Sequence, residues 1–421
     1  MFIVGIDIAK HTHQASVMNT DGSLVGKSIK IPNTSGGFDA FISKLKEVDR
    51  DISHFEFGME ATGHYWLNIY THLADLGCIV HVINPVQSDA LRGLYIRQTK
   101  NDIKDSAIIA DVIRIGRYCE TSVSDDKMLA LRDLTRQRFY LVDMVSDLKR
   151  KSLTLIDRIF PEYPTLFSDT FGTTSLELLA NCNTPEDILA IETDKLVEML
   201  STASKGRFKQ DKAEKIKETA RNSFGALLCT DSASFMLRQF VEQIRFLENQ
   251  IDELDEMISE SLAEINSPIT TITGIGDTLG AAILSEIGDI ERFESADKLA
   301  AFAGIDPSVS QSGNFLGTRN RMSKRGSPYL RRAIWLAATA AILHDPAIKA
   351  FYDRKKAQGK HHYVCVGYIC RKLVNIIFSV LKSGQPYQPV FLKIWIRVLT
   401  FYSWSFSILT LAQSDSSSAY A

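Results

Sequence analysis

The 421-residue chain contains few cysteines and almost no net charge. Its six cysteines are scattered and lack the short paired spacing of a zinc ribbon, so we expect them to be small buried side chains. No signal peptide precedes the first apolar segment, and with the scattered cysteines this predicts a reducing, cytoplasmic location. A chain of this length is expected to form two or three domains with hydrophobic cores.

The formal charge of −2 conceals two oppositely charged segments. Residues 315–374 contain thirteen lysines and arginines against two acidic residues, whereas residues 231–266 contain nine acidic residues against two arginines. Charge segregated in this way predicts one basic and one acidic surface rather than a surface of mixed charge. The basic segment is therefore a candidate for binding a polyanion.

The first 120 residues alternate between strand-like and helix-like patterns. Three short strands (FIVGIDIAK, HQASVMNT and LVGKSIKIPN) are followed by a helix, a fourth strand (ISHFEFGMEA), a second helix and a fifth strand that ends at Pro85. A third helix contains KNDIKDSAIIADVIRIG. This order predicts an α/β domain of the RNase H-like (RuvC-like) type over residues 1–124, in which helices flank a mixed sheet.

Four acidic residues occupy related places in these elements. Asp7 lies in the middle of the first predicted strand, Glu60 ends the fourth, and Asp102 and Asp105 share one face of the third helix. Carboxylates gathered from separate elements are typical of a site for one or two Mg²⁺ ions, which polarise a phosphate and activate the attacking oxygen. Each acid alone is better explained as a surface charge or a helix N-terminal residue, and only the four together with the strand order favour a metal site; Asp111 is an alternative ligand.

Residues 125–267 are predicted to be helical and to contain two long helices. One runs from Met128 to Pro161, and the other carries apolar residues at alternating spacings of three and four, which predicts a coiled-coil seam. The seam residues are Leu237, Phe240, Ile244, Leu247, Ile251, Leu254 and Ile258. Its partner is either the first long helix or a second copy of the chain, and the spacing does not decide between them.

Residues 268–387 contain a glycine turn and a basic, serine-rich loop. The turn from Gly274 to Gly276 leads into an apolar helix, as in one helix-hairpin-helix unit whose backbone N–H groups hold a DNA phosphate, although a simple tight connection is the alternative. The loop contains four serines (Ser308, Ser310, Ser312 and Ser323) and ends at a helix that begins near Ser327. The basic residues predicted to bind nucleic acid are Arg319, Arg321, Lys324, Arg325, Arg331 and Arg332.

Motifs at both ends of the chain resemble those of the DEDD transposases of bacterial insertion sequences, the IS110 family. GIDIAK, MEATGHYW, VINP and KNDIKDSAIIAD stand near the amino terminus, and GIGDTLGAAILSEIGD, FAGIDPSVSQSG and RMSKRGSPYLRRA follow in residues 268–387. The resemblance covers nearly all of residues 1–387. It implies a RuvC-like domain, a coiled-coil connector over residues 125–267 and a mainly α-helical C-terminal transposase domain over residues 268–387.

The resemblance also implies a chemistry. The family's four metal-binding acids correspond to Asp7, Glu60, Asp102 and Asp105, and its nucleophilic serine corresponds to Ser312 in QSG. Ser312 would attack a DNA phosphate and form a covalent phosphoserine intermediate, with Mg²⁺ bound by the acids. A structured bridge RNA would pair with donor and target DNA, and the protein would form a homo-oligomer, a dimer or tetramer, through its coiled coil and associate with the nucleoid when acting.

Two other functions are compatible with the same residues. A Mg²⁺-dependent endonuclease of the Holliday-junction type would use the four acids with water as the nucleophile, and a non-catalytic coiled-coil DNA-binding protein would need only the basic segment. The tail, residues 388–421, has no predicted role. Its apolar stretch Ile394–Leu411 is as long as a membrane helix, but Arg397 and several serines and threonines argue against one.

Overall fold

The computed structural model describes residues 1–61, 63–83, 102–116, 118, 126–307, 311–312, 315–316 and 321–388. For residues 102, 311, 312, 315 and 316 it describes the backbone but not the side chain. The chain forms two compact units, Met1–Val123 and Ser124–Ala421. The division of the second unit at residue 267 stays a prediction, and the tail beyond residue 388 lies outside the described residues.

The first unit is built on a five-stranded mixed sheet with the strand order β3-β2-β1-β4-β5. Strands β1, β2 and β3 are antiparallel neighbours, whereas β4 runs parallel to both β1 and β5. The elements are β1 (Phe2–Asp7), β2 (Thr12–Asn19), β3 (Ile29–Pro32), α1 (Ser35–Val48), β4 (Phe55–Glu60), α2 (Trp66–Asp75), β5 (Ile79–Ile83) and α3 (Asp102–Ile115), with a 3₁₀ turn at Ile52–His54. The sequence predicted this meander followed by alternating strands and helices, and the topology fits an RNase H-like domain.

Helices cover both faces of this sheet. Ile6, Phe57 and Met59 point to the face where the buried side chains of α1 and α2 complete a hydrophobic core. On the other face, α3 packs Ile109 and Ile113 against Ile3 and Met18 and the end of β5. Because alternate residues of a strand point to opposite faces, the sheet separates these two cores.

The second unit is almost entirely helical among its described residues. Its helices are α4 (Asp126–Ile159), α5 (Thr173–Asn181), α6 (Pro185–Ala190), α7 (Thr193–Ala203), α8 (Gln210–Arg221), α9 (Thr230–Ile265), α10 (Asp277–Ile287), α11 (Ala296–Phe302), α12 (Pro328–His344), α13 (Pro346–Ala357) and α14 (His362–Ser383). Three 3₁₀ turns lie at Tyr163–Thr165, Pro268–Thr271 and Ile290–Arg292, and a short hairpin pairs β6 (Gln311–Ser312) with β7 (Phe315–Leu316). Ser327 caps α12 and Pro328 is its first residue, as the sequence predicted.

The two long helices pack against each other in opposite directions. Lys127 pairs with Glu264 at 2.8 Å, Arg138 with Asp255 at 2.6 Å and Lys149 with Glu248 at 2.7 Å, so residue numbers rise along α4 as they fall along α9. Most seam residues of α9 are buried, although Phe240 and Leu254 keep partial exposure. The seam therefore has a partner within the same chain, while supercoiling of the pair stays a prediction.

Helix α14 is apolar, and one side of it belongs to the hydrophobic core of the second unit. Cys365 and Cys370 are buried in it, and burial raises the pKa of the Cys370 thiol to about 12, which keeps it protonated. Cys182 is also buried, whereas Cys229 is exposed. Among the described residues, α14 alone has the length and hydropathy of a membrane-crossing helix, and core helices of soluble proteins share these properties.

Candidate active site

Two of the predicted acids end neighbouring parallel strands. Asp7 is the last residue of β1 rather than a central one, because the chain leaves the sheet there and turns towards β2. Glu60 is the last residue of β4, and the β1–β4 register pairs Ile6 with Met59 immediately before the two acids. Residues at equivalent positions of parallel neighbours point to the same face. Asp7 and Glu60 thus leave the same end of the sheet on the same side.

Helix α3 lies on that face and approaches the strands unusually closely. A Cβ atom on Gly5 would stand 2.0 Å from the carbonyl oxygen of Ser106 and 2.4 Å from the amide nitrogen of Ala110. The Ser106 hydroxyl also forms a buried 2.7 Å hydrogen bond with that of Ser16, the neighbour of Gly5 in β2. Since Gly5 precedes Asp7 by two positions, α3 covers the side of the sheet to which Asp7 belongs.

The structure places the acids of α3 differently from one another. Asp105 directly precedes Ser106, and only 5% of its surface is exposed. Asp102 is the first residue of α3, and its side chain lies outside the described part of the structure. Asp111, the alternative ligand, pairs with Arg114 at 2.6 Å within the same helix. Asp7, Glu60 and α3 with Asp105 therefore share one side of the sheet.

Oxygen ligands of this kind fit Mg²⁺, because hard divalent cations prefer carboxylates. A carboxylate as buried as that of Asp105 is costly unless a positive charge or hydrogen bonds compensate it. Within the part of the chain whose side chains are described, no three His, Cys, Asp or Glu residues form a complete metal-binding group. The carboxylate oxygens of Asp7, Glu60 and Asp105 are therefore chemically suitable ligands for Mg²⁺. The side chain of Asp102 lies outside the described part of the structure.

The loop that carries Ser312 is held together at its base. Pro307 forms an antiparallel bridge with Met322, and the backbone N–H of Ser323 donates to the carbonyl of Asp306 at 2.9 Å. The Ser323 hydroxyl donates to the Asp306 carboxylate at 2.5 Å, so this serine has a structural partner. Ser312 itself pairs through its backbone with Phe315 in the β6–β7 hairpin. Ser308 and Ser310 lie outside the described residues.

The predicted nucleic-acid residues differ in their exposure and in their contacts. Arg321, Lys324 and Arg325 are exposed, whereas Arg319 lies outside the described residues. Arg331 donates to the carbonyl of Ala303 at 3.2 Å. Arg332 forms two 2.7 Å hydrogen bonds with Asp143 and stacks over the Phe139 ring. The Arg332 hydrogen bonds lower the pKa of the Asp143 carboxyl below its ordinary value.

The two glycines of the predicted phosphate-binding turn have different surroundings. Gly274 has a φ of +92°, and a Cβ there would stand 2.7 Å from the backbone of Ala337 and Ala341 in α12. Close packing therefore explains Gly274. Gly276 is the N-cap of α10, and a Cβ there would meet nothing within 4 Å, so close packing does not explain this glycine.

Two acidic residues that hold the base of the serine loop were not predicted from the sequence. Asp306 holds Ser323, and Glu286, only 6% exposed, accepts from Arg136 at 2.6 Å and from the Ser327 hydroxyl at 2.7 Å. The sequence pattern does indicate a role for Glu286, because a charged residue near the end of an otherwise apolar helix usually has a buried partner. Both acids position the loop that carries Ser312.

Comparisons with known proteins agree with these features. A transposase family model of the DEDD type matches residues 4–161, and a second model, described as the transposase IS116/IS110/IS902 family, matches residues 266–353. The 44.8 kDa protein of insertion element IS116 from Streptomyces clavuligerus is 25% identical over 398 residues, which cover 92% of this chain and 96% of that protein. The 43.6 kDa protein of insertion element IS110 from Streptomyces coelicolor is 26% identical over 402 residues, covering 91% and 95%.

Further similarities cover only parts of the chain. The pilin gene-inverting protein of Moraxella bovis is 29% identical over 178 residues, which cover 42% of this chain and 55% of that protein. The solved structure of Thermus thermophilus RuvC aligns with 28% of this chain and 99% of its own, at 14% identity and a TM-score of 0.22. The two family models and the nearly full-length relatives together establish that the chain belongs to the IS110/IS116 family of transposases.

Proposed function

We propose that this transposase is an RNA-guided DNA recombinase that cuts and rejoins DNA through Ser312. The observation that carries the proposal is the placement of Asp7 and Glu60 at adjacent strand ends, on the side of the sheet covered by α3 with its buried Asp105. A set of carboxylates that can hold a divalent metal suits phosphodiester chemistry, because the metal polarises a phosphate oxygen.

In the proposed reaction, the Ser312 oxygen bonds to a DNA phosphorus and loses its proton. The bond from that phosphorus to a deoxyribose oxygen breaks, and this oxygen leaves with a proton. A hydroxyl of another DNA end then attacks the phosphoserine, which releases Ser312 and forms the new phosphodiester. The number of phosphodiester bonds is unchanged, so no ATP is needed.

Asp7, Glu60, Asp102 and Asp105 are the residues proposed to hold Mg²⁺. When bound, Mg²⁺ supplies Lewis-acid polarisation of the phosphate and lowers the pKa of an oxygen nucleophile. A serine hydroxyl is weakly nucleophilic and needs such activation. Ser312 is assigned as the nucleophile rather than Ser323 because Ser312 stands in the QSG motif.

The basic residues are proposed to bind DNA phosphates. Arg321, Lys324 and Arg325 are exposed at the base of the serine loop, which suits neutralisation of charge on the reacting phosphate. Arg319, Arg331, Arg332 and the helix N-terminus at Gly274 and Gly276 complete the proposed nucleic-acid contacts. Arg332 already pairs with Asp143, so we expect its contribution to be smaller.

The proposed partners are donor DNA, target DNA and a structured bridge RNA, which would carry the target sequence. Self-association into a dimer or tetramer is the remaining part of the proposal. Phe224, Leu227 and Leu228 support it, because these apolar side chains are 92%, 86% and 79% exposed in one short segment. The proposed place of action is the cytoplasm, at the nucleoid.

The decisive experiment incubates the protein with element DNA, the flanking non-coding transcript and Mg²⁺. A protein–DNA adduct that survives denaturant is expected with the natural protein and with Ser310→Ala, a serine two positions away in the same loop. Ser312→Ala is expected to abolish the adduct, as are Asp7→Ala and omission of Mg²⁺. Cleavage that persists in Ser312→Ala without an adduct would instead identify a hydrolytic endonuclease that uses water.

A further inference from the structure

Helix α14 presents an exposed aromatic face at its N-terminal half. Tyr363, Val364, Gly367 and Tyr368 are neighbours on one side of the helix by their spacings of three and four, and we name them the tyrosine face. Tyr363 is 65% exposed, Val364 49% and Tyr368 42%. Large exposed aromatic side chains grouped in this way mark binding surfaces rather than ordinary protein surface.

Neighbouring aromatic rings support Tyr363. Its ring centre lies 5.2 Å from that of His362, 5.4 Å from that of His361 and 6.2 Å from that of Trp335. His362 is fixed in turn by a 2.8 Å hydrogen bond between its Nδ1 atom and the Tyr352 hydroxyl. A ring that is held from several sides loses little freedom when a ligand stacks on it.

Gly367 lies between the two tyrosines on the helix surface. A Cβ atom there would meet only the Met322 side chain, at 4.0 Å. Glycine in a helix interior costs stability relative to alanine, and a methyl group would fit at this position without a clash, so packing does not require glycine here. Gly367 therefore places no side chain between Tyr363 and Tyr368.

Positive charge borders the tyrosine face. The Lys355 ammonium lies 4.6 Å from the centre of the Tyr368 ring, and Lys356 and Lys360 are exposed nearby in the sequence. The acid of this segment, Asp353, pairs with Lys349 at 3.3 Å. Within the described ranges no carboxylate lies within ion-pairing distance of Lys355, Lys356 or Lys360. The border is thus suited to a polyanion.

We propose that the tyrosine face binds unpaired bases of a single DNA strand, with Lys355, Lys356 and Lys360 on its phosphates. Aromatic platforms beside basic residues are the usual means of binding single strands, because every base has a π-face. DNA is the partner we assign because the exposed Val364 offers an apolar contact to the methyl group that thymine carries and uracil lacks. The inference rests on the proposed function, in which strand cleavage exposes unpaired DNA.

The test measures binding of a fluorescent oligothymidine by anisotropy, in EDTA, so that cleavage plays no part. Tyr363→Ala and Tyr368→Ala are each expected to weaken binding by roughly 5- to 150-fold, the range for loss of one stacked base. Tyr363→Phe, which keeps the ring, is expected to bind as the natural protein does. Tyr140→Ala is the matched control, because Tyr140 is 59% exposed on α4 and belongs to no such face.

Two further measurements separate stacking from simple charge attraction. An oligonucleotide of abasic sites keeps the phosphates but loses both stacked bases, so it is expected to bind more weakly than the natural strand binds to Tyr363→Ala. Lys356→Gln is expected to reduce the salt dependence of binding by about 0.7 in the log–log slope, whereas Tyr363→Ala leaves that slope unchanged.

Equal affinity for abasic and natural strands would overturn the proposal, and so would unchanged binding in both tyrosine variants. Tighter binding of oligouridine than of oligothymidine would overturn the assignment to DNA. These outcomes are independent of the Ser312 adduct, which requires Mg²⁺ and is measured separately. If the natural protein formed no adduct, the proposed recombination would be refuted, whereas the binding of oligothymidine to the tyrosine face would still be decided by its own measurement.

Discussion

Gly5→Ala tests whether backbone contact between α3 and β1 positions the candidate active site. The added Cβ would start 2.0 Å from the Ser106 carbonyl oxygen, whereas ordinary contact begins at 3.4 Å, so α3 must move by about 1.4 Å. Rotation of a side chain cannot relieve a clash with helix backbone. Overpacking of this kind costs about 1–3 kcal/mol, and displacement of catalytic groups by roughly 1 Å reduces rates about 100-fold.

The assay compares single-turnover DNA cleavage with thermal unfolding. Gly5→Ala is expected to lower the unfolding temperature and to reduce cleavage by about 100-fold or more at a temperature where the variant remains folded. Gly36→Ala in α1 is the control, because a Cβ there meets nothing within 4 Å. If Gly5→Ala cleaved DNA at the natural rate, the placement of α3 by this contact would be refuted.

Three further predictions concern stability. Arg138→Met should lower the unfolding free energy by about 1–3 kcal/mol in urea, because it removes two partly buried hydrogen bonds to Asp255; an unchanged midpoint would contradict this. Burial lowers the pKa of His13 below the ordinary value of 6.5. As the pH falls below 6.5, the unfolded state binds the proton first, so the free energy of unfolding decreases. His13→Gln should flatten this part of the stability–pH profile. Gly367→Ala should raise thermal stability by up to about 1 kcal/mol, and a loss would mean that the site is not open.

Sequence patterns predicted the first unit well because its elements carry local signals. Alternating apolar residues marked the strands, and a glycine or proline followed the second helix and the fifth strand. Once the strand order was predicted, Glu60 had to end β4 beside β1. The main difference was Asp7, which ends β1 because the turn towards β2 begins directly after it.

Properties that depend on distant contacts were not predictable. Leu237 and Ile244 indicated a buried seam on α9, but heptad spacing is the same whether the partner belongs to the same chain or to another. Arg332 was one of a run of basic residues in the sequence, and its pairing with Asp143, 189 positions away, follows only from the packing of α12 beside α4. Burial of Glu286 likewise depends on Arg136 and Ser327.

The contact of α3 with Gly5 has a consequence for the evolution of this family member. Because main-chain atoms set the distance between helix and sheet, the outward residues of α3 are free to change without moving the acids. Sequence drift on that outer surface should be tolerated, while a single methyl group at position 5 should not. The scaffold thus separates the residues of α3 that can vary from the part of the helix that holds the candidate active site in place.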